Sequence, residues 1–271
     1  MLRTRARLAR LALPALIVSA TTIAACSGLS QSDQTLNHYG AINVSARGTA
    51  ANRATANATV VFFDAFTVNV PDSYLQRTDQ CTFANVDTTK TVTTGSLKAG
   101  ASVAFAFGSS TLTFPYDSTL LRYANPASTP FVYSNGDVAR VTVAGATGGF
   151  PASTISVPLA EPVIPGDVQV PPFGSPLNVT WTASADTTSA IILALKYANP
   201  VTSPYANEQI YCTLKDDGAF TLPATALTYF GAAPGATRTL QLTRWRTRAV
   251  LIDSKTLLHI ASSVDTIVKF P

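Results

Sequence analysis

The sequence is poor in the residues from which reactive sites are usually built. Its 271 residues include two histidines and three cysteines, and only 13% carry charge. Glu161 and Glu208 are the sole glutamates. It has no Gly-x-Ser-x-Gly elbow, no Cys-x-x-Cys, no His-Glu-x-x-His and no phosphate-cradling glycine loop. His259 is the one histidine in the part expected to fold, so no three-histidine zinc centre can be assembled. These absences argue against an enzyme, and no catalytic residue, metal or other cofactor is expected.

Clustered charge of one sign is missing as well. A formal net charge of +4 and a pI near 9.0 suggest a polyanion partner at first sight. However, Arg3, Arg5, Arg7 and Arg10 all fall in the first ten residues, and no acid precedes Asp33. Without these four, 15 of the 19 Lys and Arg remain against 15 Asp and Glu. The chain beyond residue 25 is neutral, and it lacks the electrostatic footprint of a nucleic-acid binder.

The N-terminus carries the most specific signal. Its cationic start is followed by an apolar run, Leu11 to Ala20, far short of the roughly 20 residues that span a bilayer. Such a segment reads as an export signal. The next residues, Ile23-Ala24-Ala25-Cys26, resemble a bacterial lipobox. That resemblance implies diacylglycerol transfer to the Cys26 sulfur, cleavage between Ala25 and Cys26, and acylation of the new amino group. The partner it implies is a membrane held through acyl chains, and Ser27 after the cysteine resembles the signal for an outer membrane. The competing reading is an ordinary secretory signal in which Cys26 is incidental.

Residues 26–58 are rich in Ser, Thr, Asn, Ala and Gln. Such composition buries too little apolar surface to offset ordering entropy, and a flexible tether is expected. From Thr59 onward the pattern is β. Short runs of Val, Ile, Thr, Phe and Tyr recur between turn residues, and the predicted strands are 59–63, 101–107, 111–116, 138–144, 154–157, 177–182, 190–196, 209–214 and 239–245. Asn135-Gly136 and Asp217-Gly218 are hairpin-turn dipeptides. Only Pro223 to Phe230 suggests one or two helical turns. Five prolines between Pro158 and Pro172 suggest a stiff connector. The expected fold class is all-β, with two small antiparallel β-sandwiches: residues 59–160, a connector at 161–175, and residues 176–271. A single larger sandwich is the alternative.

Pro176 to Thr182, with Trp181 closing an aliphatic alternation, resembles a strand of immunoglobulin-like and fibronectin-type domains. Tyr211 to Ala224, with a cysteine strand, an Asp-Asp-Gly turn and Leu-Pro-Ala, resembles uncharacterised bacterial surface lipoproteins. Leu97 to Gly100 and Asp79 to Thr82 are further echoes of that group. The resemblance implies an immunoglobulin-like fold and a surface location, and no activity.

Four features are candidate sites. Cys81 and Cys212 either form a disulfide between the two halves or lie separately buried as small hydrophobes. Arg244, Arg246 and Arg248 share one strand face, with Trp245 on the other; they form either a stripe for anionic glycans or headgroups or a solvated face that discourages edge pairing. Asp216-Asp217 offers a calcium or glycosidase carboxylate pair, or simply a turn. Arg122 to Phe131 matches Lys196 to Tyr205 in residue type, either as duplicated ligand loops or as recurring stiff turns. The functional classes left are a structural or adhesion module of the cell envelope and a binder of envelope glycan or peptide through Tyr205, Tyr211 or Trp245. An envelope hydrolase or assembly factor is the remote third.

Overall fold

The computed structural model describes residues 34–68, 79–85, 95–126, 129–169, 171–172, 174–186, 188–198, 208–230 and 237–269. Residues 33–271 form one compact unit. The chain is all-β around a large mixed sheet.

Four long strands make its middle. Strand β1 (Gln34–Ala50) turns at Ala51-Asn52 into β2 (Arg53–Val68). Near the C-terminus, β14 (Thr237–Asp253) turns at Ser254-Lys255 into β15 (Thr256–Lys269). The two hairpins join through β1 and β15, which run parallel from His38↔Thr256 to Arg47↔Asp265. Beyond β2, the sheet continues through β6 (Arg122–Ala124), β5 (Ser110–Asp117), β4 (Ser102–Phe107), β8 (Val138–Val143) and β9 (Ser153–Pro158), with β7 (Phe131–Ser134) also on β2. Beyond β14 come β11 (Ala190–Ala198), β12 (Glu208–Lys215) and the edge strand β3 (Gln80–Asn85). A separate ribbon pairs β10 (Leu177–Thr180) with β13 (Ala219–Leu222).

Strand alternation gives the middle of the sheet one buried face. On that face, Gly40, Ile42 and Ala46 of β1 pair with Leu258, Ile260 and Val264 of β15, and Val44 with Ser262. A first core forms there against Val103, Phe105 and Phe107 of β4, Val141 and Val143 of β8, and Ile155 and Val157 of β9. Phe62 sits at its centre, 4.4 Å from Phe150 and edge-on to Tyr123 at 5.7 Å between ring centroids. Gly40 is needed here, because a Cβ would lie 2.6 Å from Leu258 and 2.9 Å from Phe62. A second core lies on the same face farther along β14, where Leu240 and Leu242 pack with Ile191, Leu193, Cys212, Val179 and Trp181.

Two expectations need correction. The tether expected over residues 26–58 is strand from Gln34 onward. Ala46, Ala54, Ala56 and Ala58 are all at most 7% exposed, so this face is built from small side chains under a closely packed second layer. A reading that looked for large apolar residues passes over it. The division at 161–175 is not a break in the sheet either: β14 and β15 come from the second half and pair with each other, yet β15 also pairs with β1, and Leu258, Ile260 and Val264 enter the first core. The remaining predicted strands lie where expected, and the helical segment is a 3-10 turn, Ala224–Phe230, opened by the bond from Ala226 N to Pro223 O.

Candidate functional site

Charge gathers at one place in the interior, on β14 between the two cores. Alternation puts Arg244, Arg246 and Arg248 on the face that carries Leu240 and Leu242. The sidedness therefore follows the sequence reading, but the surroundings do not: Arg244 is 2% exposed and Arg246 8%. Neither a solvated face nor an open anion stripe describes these two side chains. Arg248 alone is exposed.

Opposite the arginines runs the chain leaving β9. Proline has no N–H, and a segment with prolines at 158, 162 and 165 cannot form a regular ladder of backbone donors. Its carbonyls instead accept from guanidinium groups. Arg246 Nη1 donates to Leu159 O at 2.9 Å and Arg244 Nη1 to Pro162 O at 3.2 Å, while Arg248 Nη1 reaches Ser156 O, still within β9, at 2.8 Å. Tyr133 Oη donates to Ala160 O, Ala160 N to Ser262 Oγ and Thr266 Oγ1 to Val163 O, each at 2.8–2.9 Å. Side chains thus add to the few backbone bonds that this segment makes, Leu159 N to Asp137 O, Gly166 N to Thr180 O and Thr182 N to Ile164 O, in holding it in place.

The carboxylates sit behind this ladder. Arg244 forms a fork with Asp216, Nε to Oδ2 at 2.7 Å and Nη2 to Oδ1 at 3.1 Å, with only 3% and 2% of the two side chains exposed. Such two-point contacts are the strong form of the ion pair. Asp216 also accepts from Ser189 Oγ at 2.6 Å and Trp181 Nε1 at 2.9 Å. Burial, the largest single influence, raises its pKa, but the bonds from Arg244 and Ser189, the Arg244 charge and the Trp181 indole together outweigh it. The carboxyl therefore sits below its ordinary value. Arg246 faces Asp186 at 3.1 Å and Glu161 at 3.6 Å, and donates to Ser184 Oγ at 3.2 Å. Chemically, Asp216, Asp186 and Glu161 neutralise the arginines from within the fold, with Arg246 Nε meeting Asp186 as an ion pair without hydrogen-bond geometry.

The other candidates can be placed against this geometry. Cys81 and Cys212 are register partners on β3 and β12 and form a disulfide, Sγ–Sγ 2.02 Å, across 131 residues of sequence. It does tie the two predicted halves of the sequence together, through the edge strand β3, which pairs with β12 and packs Cys81 against the second core. Asp217 lies in the turn before Gly218 (φ 102°) while Asp216 points inward, so the two acids do not act as a pair. The first of the matched loops turns its polar groups inward: Asn125 accepts from Ala58 N at 2.7 Å and donates to Asn57 Oδ1 at 2.9 Å and Thr129 O at 3.1 Å. Most of the second loop, including Tyr205, lies outside the described residues, as do Ala25 and Cys26. His259 is mostly buried on the opposite sheet face, and that burial lowers its pKa. Among the described residues, no group of three or more His, Cys, Asp or Glu could hold a metal ion, and no helix is long and apolar enough to cross a membrane.

The ladder itself was missed. Arg244 to Arg248 were visible in the sequence, but their partners are the carbonyls of Ser156, Leu159 and Pro162, more than 80 residues away, and the carboxylates of Asp216, Asp186 and Glu161. The available signal was the coincidence of surplus carbonyl acceptors and alternating arginines. No protein-family model matches the chain, and no curated protein does.

Proposed function

We propose that the chain is an exported lipoprotein whose β body is a non-catalytic structural or adhesion module of the cell envelope, anchored through acyl groups on Cys26. The anchoring reading rests on the cationic start, the short apolar run and Ile23-Ala24-Ala25-Cys26. Two or three acyl chains give stable attachment where one is marginal, at about 0.8 kcal/mol per buried methylene.

One observation carries the non-catalytic half. Among the described residues, the largest collection of buried charge, Arg244, Arg246, Asp216 and their neighbours, is used in closing the fold on itself. Its hydrogen bonds help to fix a segment that makes only isolated backbone pairings, a structural task. In this reading the two cores are immunoglobulin-like sandwich lobes sharing β14 and β15, and the partners are envelope glycan or protein. Intact mass and membrane fractionation test the anchor. Wild-type protein should carry an acylated N-terminal cysteine and sediment with membranes, and Cys26→Ala should lose both properties. An unmodified wild type, or a Cys26→Ala chain still acylated, contradicts the reading.

A further inference from the structure

Because β1 begins at Gln34, seven residues separate Cys26 from the first described strand, against the 32 of the expected tether. Fully extended, a chain covers at most about 3.3–3.6 Å per residue, so Gln34 lies within roughly 30 Å of the Cys26 α-carbon. β1 itself, at about 3.3 Å per residue, is roughly 50 Å long. The far tip of the β1–β2 hairpin, Ala51-Asn52, therefore cannot be the end that points down at the membrane: Gln34 would then stand farther from the bilayer than its link allows.

The near end has the surface for the opposite arrangement. The β14–β15 turn is fastened to the start of β1, with Asn37 N and His38 N both donating to Lys255 O at 2.8 and 3.2 Å. Beside it, Leu36 and Leu257 are buried against Tyr39, which stacks on Phe63. Leu251, the register partner of Leu257, is 52% exposed, and Lys255 is exposed at the turn. An apolar side chain beside a lysine suits the boundary between acyl chains and headgroups.

We propose that this end of the sheet rests on the lipid bilayer that holds the anchor, with Leu251 and the Ser254-Lys255 turn at the headgroup level and the Ala51-Asn52 turn directed away. The inference rests on acylation of Cys26. It makes the β1–β2 hairpin tip and the adjoining Asn135-Gly136 turn, whose Asn135 N donates to Asn52 O, the surface offered to envelope partners.

The test uses the acylated chain in phosphatidylcholine–phosphatidylglycerol vesicles with a headgroup nitroxide quencher, and a fluorescent amino acid at Leu251 or at Asn52. Quenching should be several-fold stronger at Leu251. Equal quenching at the two sites, or stronger quenching at Asn52, overturns the orientation. Hydrogen exchange needs no reporter in the protein. Residues 251–256 should exchange several-fold more slowly on vesicles than in soluble Cys26→Ala, with residues 48–53 unchanged; equal rates at 251–256 overturn the proposal. Intact mass separates the two failures. A chain without acyl groups sinks the anchor and the orientation together, whereas an acylated chain with symmetric quenching sinks the orientation alone.

Discussion

The two cores are held by different means. Among the described residues the first has 28 buried members, with Phe62, Phe105, Phe114, Phe150 and Tyr123 in its interior. The second has 14, and it is the one with the disulfide and the Arg244–Asp216 fork. Apolar burial stabilises at about 25 cal/mol per Å², so a core half as populous has much less of it to offset chain entropy. Small cores are the ones that need covalent or ionic staples. In this protein the staples sit where the apolar contribution is smaller, which is where a structural use of buried charge is expected.

Breaking the staples should therefore unbalance the two regions. The largest effect is expected from Asp216→Ala, which leaves Arg244 buried without its carboxylate and should cost about 3–5 kcal/mol, read as a fall in the denaturant midpoint. Removing the disulfide with Cys81→Ala and Cys212→Ala should cost about 2–5 kcal/mol. Hydrogen exchange should then accelerate in β11 and β12 while β4 and β8 keep their protection. Acid should act on the same region. The Asp216 pKa is lower folded than unfolded, so its contribution is complete above the unfolded value of about 3.9 and is lost as pH falls through the lower folded value. Melting between pH 5 and pH 2 should show a steeper loss in wild type than in Asp216→Asn. The smallest change is expected for Arg248→Ala, at about 1 kcal/mol or less, because this arginine is exposed. A cost equal to that at Arg244 would erase the distinction between the ends of the ladder.

How much of this was legible depends on which property carried the signal. Alternation in Val103 to Phe107 and in Leu177 to Trp181 placed the right residues inward, because period two is a local property of the strand. β1 and β15 were not read as strands. The buried face of β1 is built partly from alanine and glycine, and β15 finds its parallel partner more than 200 residues away, which no local window contains. The disulfide was one of two readings left open, since spacing does not reveal that β3 crosses to β12. Asp216 looked like part of a turn, and it is one at the backbone; its side chain's role depends on Trp181, Ser189 and Arg244 converging from three other segments.

The buried charges of Arg244 and Asp216 are expected to serve the fold through one another. A double-mutant cycle measures this most directly, with denaturant unfolding of Arg244→Met, Asp216→Leu and the two combined. Each single change should cost about 3–5 kcal/mol, and the pair should cost less than the two added by more than about 1 kcal/mol, because removing both partners leaves no orphaned charge. Strictly additive costs, or single changes within about 0.5 kcal/mol of wild type, would contradict it.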